Sequence, residues 1–257
     1  MPGLVKLEYE GPLAFVDLCN PAKLNAMTRA MWRELCVVFT TIQADQAVRC
    51  VVVRGEAYVF CAGGDIAEYP EFRFQPATLA EFHEEDVWGA LHAMQKCDVP
   101  IVAQIEGACL GAGMEIASCC DIRVAGEGAR FGAPIARLGF PMAPREAQIV
   151  MIAAGELTAR EMLLEAAVLG AAEMKQRGFL NRVVPDTQVR ESALQSALRI
   201  AEYGPEAARM NKKTLRKLKA FPAGAATKMM ATAYNYAAHA EHQEGVMAFI
   251  EKRKPAF

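Results

Sequence analysis

The stretch Gly107–Asp121, which reads GACLGAGMEIASCCD, decides how the rest of this sequence is interpreted. It follows the apolar run IVAQI at 101–105, which is typical of a buried strand. Gly111 and Gly113 allow a sharp turn and a close approach of another group to the backbone. The pattern therefore predicts a strand, a glycine loop and then the start of a helix, where the first N–H groups have no partner within the helix.

Glu115 is the candidate catalytic residue of this stretch. It lies three residues after Ala112, on the same face of the predicted helix and close to its first N–H groups. An acid among apolar neighbours is costly unless it is paired or used, and a carboxyl beside N–H donors suits chemistry in which an oxyanion forms while a proton moves. A plain packing turn is one alternative. A dinucleotide-binding loop is disfavoured, because Ile116 replaces the third glycine of that motif and no acid follows at the usual distance.

Composition indicates an ordinary globular protein. The 257 residues are 53% hydrophobic and 23% charged, and the formal net charge of −2 gives no general attraction to nucleic acid or to an anionic membrane. No apolar run approaches the roughly 20 residues of a membrane span. The N-terminal residues lack the basic and then apolar pattern of a signal peptide.

The cysteines and histidines give no pattern of a metal site. The eight cysteines form no C-x-x-C pair and have no zinc spacing with the four histidines. His83 and His92 fall on nearly opposite sides of a predicted helix, and His239 and His242 lack a third ligand. We therefore expect no metal, reduced thiols and a cytoplasmic location.

Strands and helices alternate over residues 1–185, and only helices are predicted over residues 186–257. Within the first part, Thr78 and Glu81 fit a capping box at the start of a helix. The sequence thus predicts an α/β core followed by a helical region. The predicted helices of that second region span about 187–202, 205–218 and 224–253.

Five motifs, in order along essentially the whole chain, resemble those of the crotonase, or enoyl-CoA hydratase/isomerase, family. One such motif would be weak, but five with the right spacing are specific. The first motif is NPAKLNAM at 20–27, where Asn20 replaces the usual arginine of R-P-x-x-x-N-A. The second, FCAGGDI at 60–66, resembles F-x-A-G-x-D-[IL], and the third, the stretch Gly107–Asp121, resembles G-x-x-x-G-G-G-x-E-L-A-x-x-C-D. The last two are FGAP at 131–134 and the ending AFIEKRKPAF at 248–257.

The resemblance implies a crotonase-like α/β fold, a spiral of ββα turns with a C-terminal helical trimerisation region, assembled as a homotrimer or a dimer of trimers. It also implies a coenzyme A thioester substrate and no other tightly bound cofactor. By position, the N–H groups of Gly64 and Ala112 would hold the thioester oxygen, with Glu115 as base or acid. A backbone donor tolerates a change of side chain, so alanine at 112, where glycine is usual, is compatible with this role.

Ile135 departs from the family pattern at a position that bears on the reaction. Hydratases of this family use two glutamates to handle the water and the α-proton, and here Glu115 falls on the first position and Ile135 on the second. Isoleucine transfers no proton, whereas general acid–base help is typically worth about 10²–10⁴-fold. Arg145 or Glu146, predicted in the first turn of a nearby helix, is a candidate replacement, although a glutamate there also suits the helix dipole alone.

Further residues are expected to meet the coenzyme A part of the substrate. The candidates for its phosphates are Lys23, either Lys212 or Lys213, and either Lys252 or Lys254. Asp65 is interpreted as mainly structural, because an aspartate beside a glycine turn readily bonds local backbone. The predicted contact residues are Lys23, Leu24, Ala62, Gly63, Asp65, Ile66 and Lys252.

We therefore expect an enzyme that transforms an acyl-CoA through a thioester enolate. Hydration of an enoyl-CoA is the first hypothesis, because Glu115 matches a glutamate that hydratases use on water. Double-bond isomerisation is the alternative, since it needs one base to shuttle one proton. A non-catalytic homologue that binds acyl-CoA or a partner protein is a third hypothesis, which the presence of Glu115 disfavours.

Overall fold

The computed structural model describes residues 2–218 and 234–255. Within these ranges a mixed α/β core precedes a helical C-terminal part. The strands are β1 (Leu4–Glu10), β2 (Leu13–Cys19), β3 (Cys50–Gly55), β4 (Ile101–Ile105), β5 (Ala108–Leu110), β6 (Ile122–Gly126), β7 (Arg130–Gly132), β8 (Val168–Gly170) and β9 (Arg182–Val184). The helices are α1 (Arg29–Ala44), α2 (Pro76–Glu81), α3 (Trp88–Lys96), α4 (Ala112–Cys119), α5 (Pro144–Ala154), α6 (Glu156–Leu164), α7 (Ala171–Gln176), α8 (Val189–Glu202), α9 (Pro205–Leu218) and α10 (Ala240–Ile250).

A six-stranded sheet, in the order β1-β2-β3-β4-β6-β9, forms the centre of the molecule. β1 and β2 form an antiparallel hairpin, and every later pair of neighbours is parallel. Val51 and Val53 of β3 pack into the larger core, whereas Val52 packs on the opposite face together with Phe15 and Ala197. A strand that is buried on both faces needs apolar side chains at both alternating positions, and the three consecutive valines meet that need.

A second sheet, in the order β5-β7-β8, carries the loop that precedes α4. β5 pairs in parallel with β7, and β7 pairs antiparallel with β8. An isolated bridge between Cys61 and Cys109 joins β5 to the other glycine-rich segment of the chain. Since α4 begins at Ala112, directly after this pairing, its N-terminus lies beside that segment.

The C-terminal helices pack on the core. α8 covers one face of the large sheet with small side chains, and Lys212 of α9 forms an ion pair with Asp121 at 2.7 Å. The helices predicted at 187–202 and 205–218 are present as α8 and α9. The third was predicted as one helix over 224–253, but the structure has a 3-10 turn at Asn235–Ala238 and begins α10 only at Ala240 and ends it at Ile250, while residues 224–233 of that prediction lie outside the described residues. No helix in the described parts of the chain combines the length and the apolar character needed to cross a membrane.

The predicted capping box at Thr78 is wrong. The helix begins earlier, at Pro76, and Thr78 Oγ1 instead donates a hydrogen bond to the carbonyl oxygen of Phe72 at 2.6 Å. Proline suits the first helical turn because its missing N–H would have no partner there. The helix then continues through a π-helical segment, Phe82–Val87, into α3.

We expect Gly113→Ala to destabilise the fold. A Cβ at this position would lie 2.5 Å from the carbonyl oxygen of Cys61, and a main-chain neighbour cannot move cheaply. The cost should be about 1–3 kcal/mol in the free energy of unfolding, measured by denaturant titration. Gly89→Ala is the matched control, because its Cβ would also lie in a helix but would meet nothing nearer than 3.9 Å. The Gly89→Ala change should raise the free energy of unfolding by about 0.5–1 kcal/mol. Equal free energies of unfolding for the two variants would contradict the predicted clash at position 113.

Candidate active site

The backbone N–H groups of Gly64 and Ala112 come directly after two segments of the chain that are hydrogen-bonded to each other. The N–H of Cys61 donates to the carbonyl oxygen of Ala108 at 2.8 Å, and the N–H of Leu110 donates to that of Cys61 at 2.9 Å. Within the described residues, no hydrogen bond uses the N–H of Gly64 or of Ala112. Both groups are therefore available to an oxygen of a ligand.

Two glycines make the turns that bring these donors together. Gly63 has φ +125° and Gly111 has φ +48°, both in the region that L side chains rarely adopt. A Cβ on Gly111 would lie 3.5 Å from the Cα of Gly63, so the two turns pack closely. Each donor follows directly after its turn, and the second one is the first residue of α4.

The two donor residues line a cavity of about 310 Å³. This volume is at the lower end of the range for small-molecule sites, which are mostly apolar with a few placed polar groups. The charged or titratable side chains in the lining are Tyr69, Arg73, His83, Glu115 and Arg137. Apolar walls include Trp32, Phe82, Val87, Phe140, Met142 and Phe249.

Glu115 provides an acid in this cavity. Its N–H bonds the carbonyl oxygen of Gly111 at 3.1 Å, which places its partly buried side chain in the first turn of α4. Burial is the main cause that raises the pKa of Glu115 to about 8, the negative charge of Glu146 raises the pKa further, and the Arg73 guanidinium opposes the rise. Burial thus favours the protonated form of this carboxyl group.

Ile135 lines the same cavity from the 3-10 turn Pro134–Leu138. Its side chain is partly buried and packs against the main core. The wall that carries a second glutamate in the family pattern is therefore apolar here. An apolar wall disfavours the charged form of Glu115, so it raises the pKa of this residue, as burial does.

Glu146 is absent from the cavity lining, but its carboxyl group contacts His83, which belongs to the lining. The side chain of Glu146 is buried, with 2% of the residue exposed, and its Oε1 lies 3.0 Å from Nδ1 of His83. On the other side of the imidazole, Nη1 of Arg73 lies 3.4 Å from Nε2. The ring of His83 also stacks on Tyr234, with centroids 5.6 Å apart and an interplanar angle of 12°. Sequence reasoning missed His83, because its partner is 63 residues away and nothing local marks the pair.

Arg145, the other predicted replacement for the second glutamate, contacts residues of the π-helical segment and of α3. It forms an ion pair with Glu84 at 2.7 Å, and its guanidinium carbon lies 5.0 Å from the centroid of the Trp88 ring. Glu84 also accepts a hydrogen bond from the hydroxyl of Tyr234. Arg145 thus holds together the residues behind His83 and is absent from the cavity lining.

The predicted coenzyme A contacts divide into those inside and those outside the cavity. Asp65 forms an ion pair with Lys23 at 2.6 Å and accepts a hydrogen bond from the N–H of Ala67 at 3.2 Å, which is the structural role predicted for it. Leu24 and Lys252 are exposed at the surface. The predicted residues that line the cavity are Ala62, Gly63 and Ile66.

The structure places the other candidate lysines in ion pairs. Lys212 pairs with Asp121 at 2.7 Å, and Lys213 pairs with Asp98 at 2.9 Å. Both pairs fasten α9 to the core, so neither lysine is placed at the cavity. Lys254 is exposed near the end of the chain.

The cysteines are free thiols, and burial raises the pKa of Cys61 and of Cys50, each to about 12. This agrees with the predicted reduced state. Across residues 2–218 and 234–255, no group of three His, Cys, Asp or Glu side chains is arranged to hold a metal ion.

Comparison with known proteins finds relatives along the whole chain. A profile of the enoyl-CoA hydratase/isomerase family matches residues 8–257. A 2,3-dehydroadipyl-CoA hydratase of Escherichia coli (strain K12) is 34% identical over 244 residues, which cover 94% of this chain and 93% of that protein. A probable enoyl-CoA hydratase of Mycobacterium tuberculosis is 30% identical over 256 residues, with 98% and 97% covered.

A solved structure has the same architecture. The crystal structure of an enoyl-CoA hydratase/carnithine racemase from Magnetospirillum magneticum has a TM-score of 0.82 and 33% sequence identity. The match covers 99% of this chain and 95% of that chain. The likeness confirms the crotonase-like α/β fold that the motifs implied.

We expect Glu115→Gln to change how stability depends on pH. The folded state raises the pKa of Glu115 from 4.5 to about 8, so between these values the folded chain holds a proton that the unfolded chain has lost. The stability of the wild type relative to Glu115→Gln should therefore fall as pH rises from 5 to 8, on the order of 1 kcal/mol per pH unit. Thermal unfolding across this range measures the difference, with Glu8→Gln as the control for losing a carboxyl outside the cavity. A difference that stays constant with pH would contradict the burial argument.

Proposed function

The chain belongs to the enoyl-CoA hydratase/isomerase family, and we propose that it hydrates an enoyl-CoA thioester through an enolate intermediate. The observation that carries this proposal is that a carboxyl group, that of Glu115, lines the same cavity as the residues that bear two available N–H groups, Gly64 and Ala112. Addition of water to a conjugated thioester needs a site for the oxyanion and a group that supplies the proton. Both are present within one small cavity.

The N–H groups of Gly64 and Ala112 would hold the thioester oxygen. When water adds to the β-carbon, the double-bond electrons move toward the thioester, and negative charge develops on that oxygen. Preorganised donors stabilise such charge, and the loss of one typically costs on the order of 3–4 kcal/mol. Ala112 is the first residue of α4, so the positive end of the helix dipole supports the same charge.

Glu115 would deliver the proton to the α-carbon. With its pKa raised to about 8, the carboxyl is protonated near neutral pH and still gives up its proton to a reactive enolate. After this transfer the carboxylate is the conjugate base, which can remove an α-proton in the reverse direction. One residue thus serves as acid and as base at the α-carbon.

The acyl group would occupy the apolar cavity, while the coenzyme A part extends to the surface. Among the predicted contacts, Ala62, Gly63 and Ile66 line the cavity beside the proposed oxyanion site. Our candidates for contact with the phosphates and the adenosine of coenzyme A are exposed residues, namely Lys23, its neighbour Leu24, and Lys252. The name of the Escherichia coli relative, a 2,3-dehydroadipyl-CoA hydratase, supports an unsaturated acyl thioester as the substrate.

Double-bond isomerisation is the second candidate, and Ile135 favours it. A single carboxyl can remove a proton at one carbon and return it at another, so an isomerase needs no second carboxyl at position 135. The same oxyanion site would stabilise the dienolate of that reaction. The two reactions differ in whether water enters the product.

We also propose that residues 186–257 form an oligomerisation region and that the chain assembles as a homotrimer or a dimer of trimers. Within this region Met210 and Leu215 of α9 are 66% and 61% exposed, and Leu157 and Leu164 of α6, which precedes the region in the chain, are 77% and 73% exposed. Exposed apolar groups of this kind are typical of interfaces. Analytical ultracentrifugation tests the assembly, and a species with the mass of one chain would refute it.

We expect Ala112→Pro to lower kcat by about 10²–10³-fold, because it removes one proposed oxyanion donor. Proline is tolerated in the first turn of a helix, so the backbone of α4 should persist. Ala112→Gly is the matched control, since it keeps the N–H and should stay near the wild-type rate. Steady-state hydration of a short enoyl-CoA, followed by the loss of conjugated-thioester absorbance, compares the two. Equal rates for both variants would exclude the Ala112 N–H from the reaction.

We expect a panel of α,β- and β,γ-unsaturated acyl-CoAs, analysed by mass spectrometry, to give a product 18 mass units heavier, the mass of one water molecule. Glu115→Gln should lower that turnover by about 10²-fold or more with little change in binding, because it removes proton transfer while it preserves shape. A product of unchanged mass with a shifted double bond would favour isomerisation. Binding without any product would favour a non-catalytic acyl-CoA-binding homologue.

A further inference from the structure

His83 is a further titratable group in the cavity, and the proposed reaction has so far given it no role. It lines the cavity together with Glu115, although only 8% of the residue is exposed. It lies in the π-helical segment Phe82–Val87, and its ring is fixed by stacking on Tyr234. A buried imidazole held by polar partners on both nitrogens has a defined orientation and a defined tautomer.

The partners determine that tautomer. Arg73 Nη1 can only donate, so the lone pair at His83 Nε2 faces the guanidinium at 3.4 Å. The proton of the neutral ring therefore sits on Nδ1, which donates to the Glu146 carboxylate at 3.0 Å. The contact to Arg73 is longer than an ordinary hydrogen bond, which leaves the Nε2 lone pair weakly engaged, and both Arg73 and His83 line the cavity.

This arrangement matches the logic of a base oriented by a buried carboxylate, in which the carboxylate fixes the tautomer and stabilises the imidazolium that forms. Glu146 is 2% exposed and its charge has no direct access to the cavity. Arg73 opposes an imidazolium, since it adds a like charge beside Nε2. The same guanidinium would stabilise the oxygen of a water molecule as that oxygen loses its proton.

We propose that His83 is the base that activates water in the hydration reaction and that Glu146 is its positioning residue. Glu115, which matches a glutamate that hydratases use on water, then takes the α-proton role that the isoleucine at position 135 cannot fill. This inference rests on the proposed function, since it assigns a role within that reaction. It also divides the proton transfers between two groups, an imidazole that accepts a proton and the carboxyl of Glu115 that donates one.

The step balances as follows. The oxygen of water bonds to the β-carbon, one of its protons passes to His83 Nε2, and the electrons of the Cα–Cβ double bond move to the thioester oxygen. The enolate, held by the N–H groups of Gly64 and Ala112, re-forms the carbonyl and takes the proton of Glu115 at the α-carbon. The imidazolium then returns its proton to the Glu115 carboxylate, so that both groups end in their starting states.

The test separates the water half of the reaction from the α-proton half. Hydration of a short enoyl-CoA needs both halves, whereas exchange of the α-hydrogens of a saturated acyl-CoA with D₂O needs Glu115 and the oxyanion site alone. Both are measured on the full-length wild type, on His83→Gln and on Glu146→Gln. His92→Gln is the matched control, because this histidine is exposed on the continuing helix and is absent from the cavity lining.

We expect His83→Gln to lower kcat for hydration by about 10²-fold or more, with KM and α-hydrogen exchange within about threefold of the wild type. Glu146→Gln should lower kcat by about 10-fold with the same unchanged exchange, because the amide still accepts from Nδ1–H but no longer stabilises the imidazolium. His92→Gln should match the wild type in both assays.

Hydration by His83→Gln within about threefold of the wild-type rate would overturn the proposal. An equal loss of hydration and exchange would also overturn it, because His83 would then serve the structure of the whole site. If His83→Gln does not fold, Glu146→Gln decides, and wild-type hydration by that variant refutes the dyad. A wild type that shows neither hydration nor exchange refutes the proposed function itself, and the role of His83 falls with it.

Discussion

The site depends on main-chain pairing between two glycine-rich segments that are distant in the sequence. Cys61 hydrogen-bonds to both sides of Cys109, and this pairing sets the positions of the two N–H donors relative to each other. Because the contacts are between backbone atoms, the arrangement tolerates side-chain changes that leave the turns intact. Alanine at 112 is such a change, whereas a side chain at 113 is excluded by the carbonyl oxygen of Cys61. The conformation of the backbone, more than any one side chain, therefore constrains this region of the sequence.

The electrostatics of the cavity follow from burial of several ionisable groups close together. Two carboxyls cannot both be charged cheaply in such a place, and here Glu115 is the one whose pKa is raised, with the charge of Glu146 among the causes. Arg73 adds a positive charge between the rings of Tyr69 and Phe140, at 4.5 and 4.1 Å from their centroids. An apolar residue at 135 avoids a third carboxyl in the same volume.

Much of the fold could be predicted from local pattern, and the parts that could not be predicted depend on distant contacts. The three valines of β3 and the glycine loop before α4 are determined by neighbouring residues in the sequence. The strand, the turn and the position of Glu115 in the helix that follows could therefore be predicted. Lys212 could not be placed, because its partner Asp121 comes from another part of the chain. His83 was overlooked for the same reason, since its orientation comes from Glu146 on a different helix. Neither partner leaves a periodic or spacing signal near the residue that it holds.

The segment that presents Ile135 is a short 3-10 turn, separate from the strands and glycine turns that build the proposed oxyanion site. Residues on that turn, and on the π-helical segment that carries His83, can be exchanged without rebuilding the paired backbone. Natural selection could therefore alter which atoms receive or lose protons while the means of stabilising an enolate is inherited unchanged. A fold built in this way permits its descendants to diverge in reaction type by a few substitutions at the cavity wall.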